Sequence, residues 1–73
     1  MPYYDDEMTD RAVRAYFRRL KALGFDNHQI DQPNRHDTFR NRDVVTIATG
    51  DRLLGRYRVV REDGEERLRR IEG

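Results

Sequence analysis

Apolar side chains recur along residues 9–23 at Val13, Tyr16, Phe17, Leu20 and Leu23. This is the three- and four-residue spacing of one helical face, and it predicts an amphipathic helix. Thr9 is the expected N-cap, because its hydroxyl can accept from a free backbone N–H. Asp10 follows in the first turn, where negative charge suits the helix dipole. A start nearer Asp5 fits the same pattern. Gly24 supplies the stop, since glycine adopts the left-handed cap conformation without penalty, and Phe25 is placed to close back on the last turn.

The pattern then changes period. Val44-Val45-Thr46-Ile47-Ala48-Thr49 is rich in β-branched residues and predicts a strand. Gly50-Asp51 suits a type II′ hairpin turn, and Asp63-Gly64 a type I′ turn. Arg52 to Arg61 and Glu65 to Ile71 are the strands between and after them. Residues 24–43 are polar and hard to assign. Phe25, Ile30 and Phe39 are their expected anchors to the core, Pro33-Asn34 marks a turn, and Thr38 to Arg42 forms a short extra strand or else belongs to a functional loop. The predicted fold is α+β. One N-terminal helix packs on a three-stranded antiparallel meander, four-stranded if residues 38–42 join, and residues 1–73 make a single domain.

Two-residue turns fix the register, so the faces can be counted. Counting from Gly50-Asp51 and Asp63-Gly64 places Val44, Ala48, Leu53, Gly55, Tyr57, Val59 and Leu68 on the face toward the helix. The opposite face receives Val45, Ile47, Leu54, Val60 and Ile71, with Arg52, Arg56, Arg58, Arg67 and Arg69 among them. Arg58 then lies directly across from Arg69, and like charges so placed destabilise a sheet. A partner bearing carboxylates or phosphates would relieve that repulsion. These five arginines are therefore the expected partner-binding residues. Pairing with Glu62, Glu65 and Glu66, or a slip of the register, would instead leave an ordinary solvated face.

Charge sharpens this picture. Charged residues are 40% of the 73 residues, yet the net charge is +1. The near-zero total hides blocks. Residues 1–10 carry four acids and no base, and residues 11–23 carry five bases and no acid. Within the second block Arg11, Arg14, Arg18 and Lys21 form a basic stripe opposite the apolar one, which reads either as a solvated face or as a secondary contact surface. All basic residues but Lys21 are arginine. GC-rich coding explains that bias as well as function does, although arginine is the residue that reads phosphate and carboxylate with a planar fork. A chain of this length has room for one modest core and little for an enclosed cavity.

The chemistry-bearing residues are sparse. Cysteine is absent, which removes disulfides and thiolate metal sites. Serine is absent as well, and the threonines lie in no triad setting. His28 and His36 lack metal-ligand spacing, and the five glycines form no phosphate loop. The expectation is a non-enzymatic chain with no metal and no cofactor. No stretch is apolar enough to span a membrane, and the acidic opening through Glu7 does not read as a secretory signal. A cytoplasmic location is the default.

Two resemblances bear on function. Leu20-Lys21-Ala22-Leu23-Gly24-Phe25, followed by a histidine and then strands, is similar to HicA-type toxins, which imply a double-stranded-RNA-binding-like fold. Their Gly-Ser-His-His stretch is missing around His28 and His36, and so is their final helix. In size, charge and architecture the whole chain resembles the anti-CRISPR inhibitors of phages and mobile elements, without a shared motif. That resemblance implies a stoichiometric inhibitor docking on a nucleic-acid-handling protein complex. Direct nucleic-acid binding is the alternative, and sheet-to-sheet homodimerisation through the outer aliphatic residues is a further one.

Overall fold

Asp6, rather than Thr9, opens the helix. The computed structural model describes residues 4–72, so the first three residues of the acidic opening lie outside the described residues. The helix α1 spans Glu7–Ala22. Asp6 is extended, and its carboxylate accepts from the Met8 N–H at 2.7 Å. That bond satisfies one of the orphan donors of the first turn and sets a negative charge at the positive end of the dipole. Thr9 thereby moves into the first turn and is fully buried.

At the other end the predicted stop holds. Gly24 has φ +99°. The Gly24 N–H donates to the Lys21 carbonyl at 3.0 Å and the Phe25 N–H to the Leu20 carbonyl at 3.1 Å. These two bonds are the paired closure of a Schellman cap. Phe25 contributes through its backbone, and the residue is 44% exposed. Because the helix starts early, its buried stripe sits a turn toward the N-terminus, at Met8, Thr9, Ala12, Val13 and Tyr16. Phe17 and Leu20 pack at its margin, whereas Leu23 is exposed.

Four antiparallel strands follow in the order β1-β2-β3-β4: β1 Phe39–Asn41, β2 Val44–Thr49, β3 Arg52–Glu62 and β4 Glu65–Glu72. The extra strand near residues 38–42 is therefore real. Gly50 has φ +62°, and Asp63 and Gly64 have φ +52° and +79°. One positive φ at the first site and two at the second are the signatures of the predicted II′ and I′ turns.

The β3–β4 register is the one counted from the sequence as far as Tyr57, with Val59 opposite Leu68, Tyr57 opposite Arg70 and Arg58 opposite Arg69; beyond it the ladder shifts by one and Arg56 faces Glu72. The β2–β3 register is not. Ala48 faces Leu53 as expected, but Ile47 faces Gly55, and Val44 faces Arg58 instead of Tyr57. Leu54 is an extra residue in β3, a β-bulge, and it flips every β2 side chain beyond it. Val45 and Ile47, expected outside, are fully buried at the centre of the core. Leu54 also packs against the core, while Leu53 is half exposed. Val44 and Ala48 belong to the outer face. The physical reason lies in β2 itself. The bulged phase turns a valine and an isoleucine inward, whereas the unbroken phase would bury Val44, Thr46 and Ala48. Each large aliphatic side chain moved from water to core contributes about 1.5–3 kcal/mol.

The helix lies over β1, β2 and β3. The connection between Gly24 and β1 is tied down by polar contacts and by Ile30, which is buried in the core. The Asn34 N–H donates to the Ala48 carbonyl at 2.9 Å. The Gly50 N–H donates to the Asp37 carboxylate at 2.8 Å. The Tyr16 hydroxyl donates to the Asp31 carbonyl at 2.9 Å. Phe39, like Phe25, is 44% exposed and is no core anchor. Among the described residues no helix is long and apolar enough to cross a membrane.

Candidate binding surface on the outer sheet face

Side chains alternate along strands, so the register assigns each arginine to a face. Arg58 opposes Arg69, and Val60 opposes Arg67. These residues and Arg56 point away from the helix. Phe39 opposes Thr46 on the neighbouring strand pair, which brings an aromatic ring onto the same face. A shallow concavity there is lined by Phe39, Val44, Thr46, Arg56, Arg58 and Ile71. Phe39, Leu53 and Ile71 are all more than two-fifths exposed. The outer face thus mixes guanidinium groups with uncovered apolar surface.

Neutralisation on this face is partial. Arg58 reaches Asp43 at 3.4 Å, and Arg67 reaches Glu65 at 3.4 Å, both pairs being largely exposed. Exposed pairs of this kind contribute little, typically below about 1 kcal/mol. Arg69 has no ion pair among the described residues.

Arg52 leaves the predicted group. It opposes Thr49, two residues beyond the inward Ile47, and so points to the helix side. There it pairs with Asp31 at 3.1 Å, the residue whose carbonyl accepts from Tyr16. Arg52 ties the β2–β3 turn to the connection. The same bulge that buries Val45 and Ile47 separates it from the other four arginines.

The helical basic stripe is split too. Arg11, Arg14 and Arg18 line a cleft with Ala15, Arg67 and Leu68, and Arg14 also pairs with Asp10 one turn back. Lys21 lies outside that cleft, exposed near the helix end. Among the described residues no three His, Asp or Glu side chains gather as a metal site. His28 and His36 are both exposed. Perturbed ionisation appears at Tyr16 and Tyr57, where burial pushes both phenols above the ordinary tyrosine value. Asp31 adds to the effect at Tyr16, while Arg19 and Arg70 oppose it at Tyr57. Both rings belong to the core rather than to a reactive cleft.

No family model, curated protein or solved structure matches this chain. The functional reading therefore rests on surface chemistry. The residue that counting missed is Phe39. Arg42-Asp43 forms a two-residue turn between β1 and β2, with Arg42 at φ +59°, and a non-glycine residue there gives no sequence signal.

Proposed function

We propose that this chain is a non-enzymatic, cytoplasmic binding module that masks an acidic surface on a nucleic-acid-handling protein complex, as a stoichiometric inhibitor of the anti-CRISPR type. The observation that supports this most is the opposition of Arg58 and Arg69 on an outer face that also exposes Phe39, Leu53 and Ile71. An isolated domain gains nothing from two facing guanidinium groups. An interface gains from both halves of such a face. Apolar groups and arginine are what the desolvated centre of a protein–protein contact is built from, and carboxylates on the partner would take up the arginine forks.

The test uses reconstituted CRISPR effector complexes titrated with the pure chain. Target-DNA binding or cleavage should fall in proportion to the chain added and end at a fixed ratio. The variant Arg56→Glu/Arg58→Glu/Arg67→Glu/Arg69→Glu, checked for folding by circular dichroism, should have no effect. Undiminished inhibition by that variant overturns the outer-face assignment. Failure of the wild-type chain on every complex overturns the inhibitor reading.

A second reading, direct binding of single-stranded nucleic acid, is favoured by Phe39. An exposed aromatic ring beside Arg56 and Arg58 can stack a base while the arginines hold phosphates. The net charge of +1 argues against it, because nucleic-acid-binding domains are typically clearly basic. A gel shift with an oligonucleotide at low salt decides between the two: no shift at tens of micromolar removes this second reading.

A further inference from the structure

The two edges of the sheet are finished differently. β1 and β4 are the outermost strands. Asn41 and Val44 close the β1–β2 turn, so the Arg40 N–H points out from the sheet. That N–H donates to the Asp5 carboxylate at 3.4 Å, which covers the short β1 edge. On β4 the turn is closed by Glu62 and Glu65. The backbone groups of Glu66, Leu68 and Arg70 then point away from β3. Among the described residues no loop or side chain bonds to them.

The space beside this edge is shaped and charged. The helix lies over β1, β2 and β3 and packs less closely on β4. This leaves the cleft between Arg11, Arg14, Arg18 and the β4 residues Arg67 and Leu68. Arg18 has no ion pair among the described residues. Arg11 to Arg18 covers roughly 10 Å of helix, the length of about three residues of extended chain. A strand laid along β4 would run beneath one row of guanidinium groups and beside Arg67 and Arg69.

A second copy of the chain is a less complementary occupant than an acidic strand. Antiparallel pairing of two β4 edges about a two-fold axis sets residues of the same face opposite each other. The registers that put Arg67 on itself or on Arg69 also put Glu65 on Arg69 or Glu66 on Arg70, so like and opposite charges largely offset one another, while the register that puts Arg69 on itself has no such compensation. Direct opposition of like charges is destabilising. A strand carrying carboxylates meets the reverse situation.

We propose that the free β4 edge and its basic cleft capture an extended acidic segment of a partner protein by strand addition. The backbone of Glu66, Leu68 and Arg70 supplies the hydrogen bonds, Leu68 offers an apolar floor, and Arg11, Arg14 and Arg18 select carboxylates. Main-chain bonds give such a complex its affinity and alternate side chains its specificity. The site shares Arg67 with the outer face, but its backbone edge and helical arginines lie apart from Arg56 and Arg58, and it does not depend on that face's function.

The probe is a fluorescently labelled eight-residue peptide alternating glutamate and valine, followed by anisotropy at low salt. It should bind in the micromolar range. N-methylation of its alternate amides, which removes strand hydrogen bonds and keeps every charge, should weaken binding at least tenfold. So should Arg11→Glu/Arg18→Glu in the protein, whereas Arg56→Glu/Arg58→Glu should leave binding intact. Amide exchange at Glu66, Leu68 and Arg70 should slow when peptide is present. Equal binding of the methylated peptide overturns the proposal, since charge alone would then explain the affinity. Absence of binding by the unmodified peptide overturns it as well. Loss of binding in the Arg56→Glu/Arg58→Glu variant with no effect of Arg11→Glu/Arg18→Glu would move the contact to the outer face.

Discussion

Replacing Arg69 by glutamate should make the isolated protein more stable while abolishing the binding proposed for the outer face. Arg69 stands directly opposite Arg58, and facing residues of an antiparallel pair have Cβ atoms about 5 Å apart. Two like charges about 5.5 Å apart in a water-like dielectric repel by roughly 0.75 kcal/mol, and reversing one sign turns this into a similar attraction. Asp43 already offsets part of the charge on Arg58, and mobile exposed side chains take up some of the rest. The expected gain is about 1 kcal/mol, which in a domain this small raises Tm by about 4–8 °C. Urea unfolding is the assay, because guanidinium salts would screen the effect. Arg69→Gln should give about half the gain. In 1 M NaCl, where the screening length falls to about 3 Å, the gain should largely vanish. A loss of stability in Arg69→Glu, or a gain that persists unchanged at high salt, would refute the electrostatic reasoning. Stabilisation with loss of partner binding would mark the arginine pair as kept for function at a cost to the fold.

Thr9 is fully buried, and among the described residues its hydroxyl has no hydrogen-bond partner. Thr9→Val keeps the shape and removes the stranded polar group, so urea unfolding should show a gain of about 1 kcal/mol; a loss would mean that the hydroxyl is satisfied in solution. Ile47→Ala should cost about 2–4 kcal/mol, because Ile47 is fully buried, while Ile71→Ala on the outer face should stay within about 0.5 kcal/mol. Equal losses would mean that the β3 bulge does not form. The phenols of Tyr16 and Tyr57 are pushed above the ordinary tyrosine value of 10.0 by burial, so the unfolded chain loses these protons first. Their contribution to stability is complete below about pH 10 and is lost as pH rises through the folded values. Absorbance at 295 nm should show two late-ionising phenols, and their titration at the ordinary value would refute the burial.

Much of this architecture is local and was legible in the chain. The helix stop at Gly24 and the turns at Gly50-Asp51 and Asp63-Gly64 follow from backbone freedom at single residues, which needs no knowledge of distant contacts. The strand-rich stretch from Val44 onward and the opposition of Arg58 to Arg69 follow from side-chain type and one short turn. The helix start was less legible because Asp6 and Thr9 are both competent caps, and the choice depends on which one the core covers. The outer site was half legible for the same reason. Arg56, Arg58, Arg67 and Arg69 fall where counting from the turns puts them, whereas Arg52 and Phe39 do not. Their faces depend on Leu54 leaving the ladder and on a β1–β2 turn with no glycine. Both are set by tertiary packing. Val45 and Ile47 gain more from the core than Val44, Thr46 and Ala48 would, and the sheet accepts a bulge to let them in. Local sequence determined which residues are strand, turn and cap. Only the competition for a small core decided which side of the sheet each residue occupies, and with it which side chains the outer surface displays.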